Sequence, residues 1–90
     1  DVEMVAFETR IWPNPAHSEL IISINEFVPN QKVEMAIMTV EGKYLKSETL
    51  IPSVKGQQVR FDVRNFSIGY YILQVKQGVL LQTKKVMVVR

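Results

Sequence analysis

The sequence lacks cysteine altogether and has only one histidine, four glycines and four prolines among its 90 residues. Without cysteine the chain can form no disulfide and offers no thiolate to a metal, although this absence leaves the cellular compartment open. No apolar run approaches the ~18 residues that a membrane-spanning helix needs. The net charge of +2 is too small, and the basic residues too scattered, for a nucleic-acid-binding surface.

The composition is that of an ordinary small globular protein. Hydrophobic residues make up 47% of the chain and charged residues 22%, which argues against disorder and low complexity. We therefore treat residues 1–90 as a single domain. Because the chain begins at Asp1 without a methionine or a signal peptide, we expect it to be a fragment of a longer protein.

The inventory of reactive side chains argues against catalysis. His17 is the only histidine, and Glu48 and Asp62 are isolated acidic residues on polar strand faces. The four glycines are separate turn residues and do not form a phosphate-binding loop, and no zinc or calcium spacing occurs. We expect a non-enzymatic domain without a cofactor or a metal.

Apolar and polar residues alternate with a period of two, which indicates β-strands. The clearest example is Val59, Phe61 and Val63, which alternate with charged residues. Seven such segments occur, around residues 4–12, 19–25, 32–40, 43–50, 59–64, 70–76 and 79–89. Turn signals separate them at Pro29-Asn30, Glu41-Gly42-Lys43, Lys55-Gly56, Ser67-Ile68-Gly69 and Gln77-Gly78. This pattern predicts a small antiparallel β-sandwich.

The stretch Trp12-Pro13-Asn14-Pro15 separates the first two predicted strands. Neither proline can donate a hydrogen bond to a sheet, and each restricts the residue before it to extended conformations. We predict a stiff corner in which Asn14 bonds its own backbone and Trp12 buries its ring as an anchor.

The C-terminal run Val86-Met87-Val88-Val89-Arg90 is apolar on both faces of its strand. An edge strand of this kind invites pairing with other chains, so the strand is either central or a docking surface. Pairing with a second copy, as a homodimer, is a further expectation. The preceding Lys84-Lys85 pair has two readings of equal weight, a recognition element or charges that guard against aggregation.

The two adjacent tyrosines predict different environments. Tyr71 is in phase with Leu73 and Val75 and belongs in the core. Tyr70 is in phase with Ile72 on the opposite face, which is therefore partly apolar. A sugar-stacking platform at Tyr70 is the less favoured alternative.

Several of these motifs, in this order, resemble the type A C-terminal sorting domain of the Bacteroidetes type IX secretion system. The resemblance extends from about Ile11 to Arg90. Trp12, Glu41 and Phe66 depart conservatively from the family pattern. The matching residues are Pro13-Asn14-Pro15-Ala16, Gly42-Lys43, Asp62-Val63, Gly69, Tyr71 and Lys84-Lys85.

The resemblance implies an all-β, Ig-like antiparallel β-sandwich of about seven strands that acts as a secretion signal. Its partners would be the outer-membrane translocon and the sortase complex, with anionic lipopolysaccharide as a further candidate. The parent protein would pass through the periplasm to the cell surface or the medium. The sortase would then remove the domain and attach the cargo to lipopolysaccharide. Recognition would reside in the last strand, Lys84 to Arg90, and the Pro-Asn-Pro corner would hold the first two strands.

Two alternatives remain open at this point. Residues 1–4 contain no small-residue linker for a sortase, so either the cleavage site lies upstream of Asp1 or the domain is a retained docking or shuttle module of the secretion machinery. An adhesive or carbohydrate-binding module, using Tyr70 and Trp12, is the other.

Overall fold

A computed structural model describes residues 7–90 of the protein, and these residues fold into seven β-strands without a helix. Nothing in this part of the chain is a helix that could cross a membrane. The predicted all-β fold is confirmed. The strands are β1 (Glu8–Trp12), β2 (Glu19–Glu26), β3 (Val33–Thr39), β4 (Tyr44–Leu50), β5 (Gln57–Asp62), β6 (Gly69–Gln77) and β7 (Leu80–Val88).

The strands form two antiparallel sheets, which gives a β-sandwich. One sheet has three strands in the order β1-β2-β5, and the other has four in the order β4-β3-β6-β7. The first predicted segment, residues 4–12, is a strand from Glu8 onward, and residues 4–6 lie outside the described part of the chain.

The core lies between the sheets and follows the predicted alternation. Leu20, Ile22 and Ile24 of β2 are completely buried, as are Leu73 and Val75 of β6. The clustered apolar residues of the two inner faces supply the hydrophobic stabilisation of the domain. They also include Val33, Met35, Ile37, Val59, Phe61, Val63, Tyr71, Val86 and Val88.

The prediction that Trp12 buries its ring is wrong, because Trp12 is 39% exposed. On β1 the inward position is Ile11, which lies opposite the buried Ile22. Trp12 lies opposite Ile21 on the outer face of the three-stranded sheet. This cross-strand pair gives Ile21, which is an apolar residue on the outer side of β2, an apolar neighbour.

The predicted turns lie between the strands at the expected places. In the β3–β4 hairpin, Gly42 has φ +95°, a conformation that favours glycine, and its N–H donates to the Thr39 carbonyl at 2.9 Å. The Lys43 N–H donates to Thr39 Oγ1 at 3.1 Å. The Gly42-Lys43 motif therefore builds the turn that sets the register of β4 against β3.

Candidate functional site: the end of the last strand

The last strand, β7, forms one edge of the four-stranded sheet and pairs with β6 from Gln77 opposite Leu80 to Gly69 opposite Val88. Val86 and Val88 are fully buried in the core, whereas Met87 is half-buried on the outer face. The strand is therefore not central, and its two apolar faces have different roles. A partner can reach the outer side chains but not the inner ones.

The Pro-Asn-Pro corner lies beside this edge, and Asn14 bonds to β7 through its side chain. Asn14 Nδ2 donates to the Lys85 carbonyl, and the Met87 N–H donates to Asn14 Oδ1, both at 3.0 Å. The side-chain amide thus offers β7 one donor and one acceptor, as the backbone of a neighbouring strand residue would. The expectation that Asn14 bonds its own backbone is wrong, because β7 supplies both partners.

Ala16 continues this pairing in the parallel direction. The Ala16 N–H donates to the Met87 carbonyl at 2.7 Å, and the Val89 N–H donates to the Ala16 carbonyl at 2.9 Å. Ala16 is fully buried. The corner therefore attaches the three-stranded sheet to the end of β7, which is more than the predicted connection between the first two strands. Because these backbone groups are already bonded, a homodimer formed through this part of the edge would have to displace the corner.

Arg90, which follows β7, fixes the end of the strand through a second set of contacts. Its guanidinium donates to the carbonyls of His17 at 2.8 Å, Val63 at 3.2 Å and Arg64 at 2.7 Å, and also to that of Phe66. Carbonyl oxygens are good acceptors for the fixed fork of guanidinium donors. We refer to the contacts of Asn14, Ala16 and Arg90 together as the C-terminal clamp.

The loop between β5 and β6, whose carbonyls accept hydrogen bonds from Arg90, is itself held by Tyr71. The Tyr71 hydroxyl donates to the Ser67 carbonyl at 2.6 Å, and the Phe66 ring lies 5.1 Å from the Tyr71 ring between centroids. Gly69, with φ +152°, leads this loop into β6. Tyr71 thus holds the part of the loop around Phe66, whose carbonyl contacts Arg90.

The two lysines of the Lys84-Lys85 pair face opposite sides of the sheet. Lys84 lies opposite the buried Leu73 on the inner side of the edge, where a charge discourages further strand pairing. Lys85 lies on the outer face, with its Nζ 4.2 Å from the centroid of the Tyr70 ring. The position of Lys84 thus suits a charge that guards against aggregation, and the position of Lys85 suits a recognition element. The ammonium also occupies a face of the Tyr70 ring that a sugar would need for stacking.

Asp62 and Arg64, beside the loop that contacts Arg90, form a hydrogen-bonded ion pair that shifts the pKa values of both groups. The Arg64 side chain donates to both Asp62 oxygens, the shortest distance being 2.7 Å, and the Arg64 N–H donates to Oδ1 at 3.0 Å. These hydrogen bonds hold the pKa of Asp62 well below its ordinary value and raise the pKa of Arg64. Asp62 is therefore a fixed anion that orders the start of the loop.

Sequence reasoning missed the contacts of Asn14, Ala16 and Arg90 with residues far away in the chain. The sequence contains one signal of the Asn14 contacts. Neither flanking proline has a backbone N–H to donate, whereas the side-chain amide of Asn14 offers both a hydrogen-bond donor and an acceptor. The predicted motif residues Gly42 and Lys43 do not lie near the end of β7. They precede β4, which is three strands away from β7 in the sheet.

Within residues 7–90, no group of acidic or histidine side chains could hold a metal ion, and every buried side-chain polar atom has a hydrogen-bond partner. No curated protein matches the chain in sequence. A family model described as a secretion system C-terminal sorting domain matches residues 10–89. The match spans the corner, the loop that contacts Arg90 and all of the last strand. The chain therefore belongs to the C-terminal sorting domains of type IX secretion, the signals that direct proteins to the cell surface or out of the cell.

Proposed function

We propose that this domain carries its parent protein from the periplasm through the outer-membrane translocon, and that the translocon contacts the outward side of the end of β7. The observation that carries the proposal is the C-terminal clamp. It holds the strand in one position and leaves the side chains of Lys85 and Met87 on the outer face. A fixed strand costs less entropy to bind than a mobile tail.

The predicted recognition residues divide into three groups under this proposal. Lys85, Met87 and Val89 are at least partly accessible and form the contact surface. Val86 and Val88 are completely buried and keep the strand in register. Lys84 and Arg90 contribute to the edge and to the clamp.

Export of the parent protein tests this proposal directly. We expect deletion of residues 85–90 to leave the parent in the periplasm, and Met87→Asp to reduce export without unfolding the domain, because the residue lies on the outer face. Gln58→Asp is the matched control, since Gln58 is an exposed position on the outer face of the other sheet. Normal export of the truncated protein would contradict the proposal.

We further propose that a surface sortase removes the domain and joins the cargo to anionic lipopolysaccharide. A peptide map and the intact mass of the parent protein recovered from the bacterial surface test this step. We expect peptides of residues 1–90 to be missing and a heterogeneous glycolipid mass to be present. If those peptides persist in the mature protein, the domain is a retained docking module and the cleavage proposal fails.

A further inference from the structure

The outer face of the four-stranded sheet carries an apolar row that crosses every strand. Tyr44 of β4 lies opposite Met38 of β3, Met38 lies opposite Ile72 of β6, and Ile72 lies opposite Lys85 of β7. The neighbouring pair on this face is Tyr70 and Met87. We call these six residues the outer row, and they extend the proposed contact surface well beyond the last strand.

The outer row has the composition of a protein-binding surface. Tyr44 is 62% exposed and Tyr70 50% exposed, whereas Met38 is only 8% exposed although it faces outward. Exposed aromatic rings beside a covered methionine provide apolar contact area at little cost in side-chain entropy. The position of the Tyr44 ring is supported by a hydrogen bond from its hydroxyl to Gln74 Oε1 at 3.4 Å.

The edges of this sheet are less suited to a partner than its face. At β7, the clamp already bonds the outward backbone groups of Met87. At β4, Lys46 and Glu48 lie opposite Ile37 and Met35 of the core, so charges occupy the inner side of that edge. Inward-pointing charges of this kind prevent strand addition. A partner that reaches this sheet therefore meets side chains of the outer face.

Charge indicates what kind of partner fits. On the other sheet, basic groups are neutralised locally, for example Arg60 by Glu19 at 2.7 Å and Arg10 by Glu8 at 3.3 Å. On the outer face of the four-stranded sheet, Lys85 forms no ion pair with any residue between 7 and 90. This cation lies at the β7 end of the outer row, and its ammonium can bind a carboxylate from a partner.

We propose that the outer row binds a protein surface of the secretion machinery on which an apolar side chain is flanked by aspartate or glutamate. The inference rests on the proposed function and adds the chemistry of the partner and three further strands to the contact surface. Complementary charge at the rim directs the approach, and burial of Tyr44, Tyr70 and Met87 supplies the affinity.

Site-specific photocrosslinking of the full parent protein in secreting cells tests this inference. A photoreactive phenylalanine analogue replaces Tyr44 or Tyr70, and Gln58 on the other sheet is the control position. We expect crosslinks from positions 44 and 70 to a protein of the secretion machinery, at a peptide with both apolar and acidic residues. Crosslinks only to a second copy or to a glycolipid ladder, or equal crosslinks from position 58, would overturn the inference.

Charge reversal gives an independent readout. Lys85→Glu should lower the exported fraction about tenfold, because like charges then meet at the interface. Lys85→Arg keeps both the charge and the stacking on Tyr70 and should export as the wild type does. Thermal unfolding of each parent protein verifies that the domain remains folded. Equal export of the two variants would refute the role of this charge.

The two proposals fail in distinguishable ways. If deletion of residues 85–90 stops export while Lys85→Glu and the crosslinking positions behave like their controls, the signal function stands and the outer row is not its contact surface. If the deletion leaves export unchanged, the proposed function itself fails.

Discussion

Replacement of Asn14 by alanine should release the end of the last strand from the corner. The Asn14 side chain donates to the Lys85 carbonyl and accepts from the Met87 N–H, both at 3.0 Å, and alanine offers neither group. Ala16 keeps its own two bonds to β7, so the strand end should loosen without detaching completely.

The expected loss can be estimated from these two bonds. A typical intramolecular hydrogen bond contributes about 0.5–1.5 kcal/mol, and Asn14 is exposed, so water can replace part of what is lost. We therefore expect the free energy of unfolding to fall by roughly 1–2 kcal/mol. In a domain of this size such a loss lowers the melting temperature by about 4–16 °C. If opening is local, exchange of the Met87 amide hydrogen accelerates by roughly 5–30-fold.

Urea unfolding and amide hydrogen exchange measure the two effects separately. Asn65→Ala is the matched control, because Asn65 is also exposed and its side chain makes no hydrogen bond to the described residues. The pairing would be refuted if Asn14→Ala cost no more than Asn65→Ala and left exchange of the Met87 amide unchanged.

Three further predictions address other parts of the domain. Arg90→Ala should lower the urea midpoint, with a loss of about 1.5–3 kcal/mol in the free energy of unfolding, because charged hydrogen bonds to carbonyls are removed. Arg90→Lys should lose less of this free energy, because an ammonium still reaches some of the carbonyls. Carboxyl NMR should find the pKa of Asp62 below its ordinary value of 3.8, and Arg64→Gln should raise it. The Asp62–Arg64 pair therefore stabilises the fold fully above pH 3.8, and this stabilisation is lost as the pH falls through the lowered pKa of Asp62. Leu73→Ala should cost about 2–5 kcal/mol in calorimetry, whereas Val79→Ala, at a 98% exposed position, should cost less than ~0.5 kcal/mol.

The strands and the core could be predicted from sequence because alternation is a local property. A strand with one buried face repeats its apolar residues every second position, so Val59, Phe61 and Val63 identify both the strand and the face that it buries. The turns are equally local, since positive φ favours glycine or asparagine at the turning residue, as at Asn30 with φ +64°.

The clamp could not be predicted in the same way, because it joins residues between 24 and 73 positions apart in the chain. Alternation gives the face of a strand but not its neighbour, so nothing local places the corner beside β7. The error at Trp12 has a related cause. A large apolar side chain suggests burial, but its phase relative to Ile11 places it on the outer face, and the phase decided.

A sorting signal that is read at a sheet edge, as proposed above, has to satisfy two opposing requirements. An apolar edge strand with free backbone groups pairs indiscriminately with other chains, yet a strand without accessible apolar groups offers a translocon little to bind. The clamp separates these requirements, because it bonds backbone groups of Met87 and leaves the Met87 side chain on the outer face. Arg90 and the loop around Phe66 then keep the strand from fraying. If the translocon binds the outer face of β7 as proposed, the strand needs the whole sandwich to hold it in place, and this agrees with a family match that spans residues 10–89 and not the last strand alone.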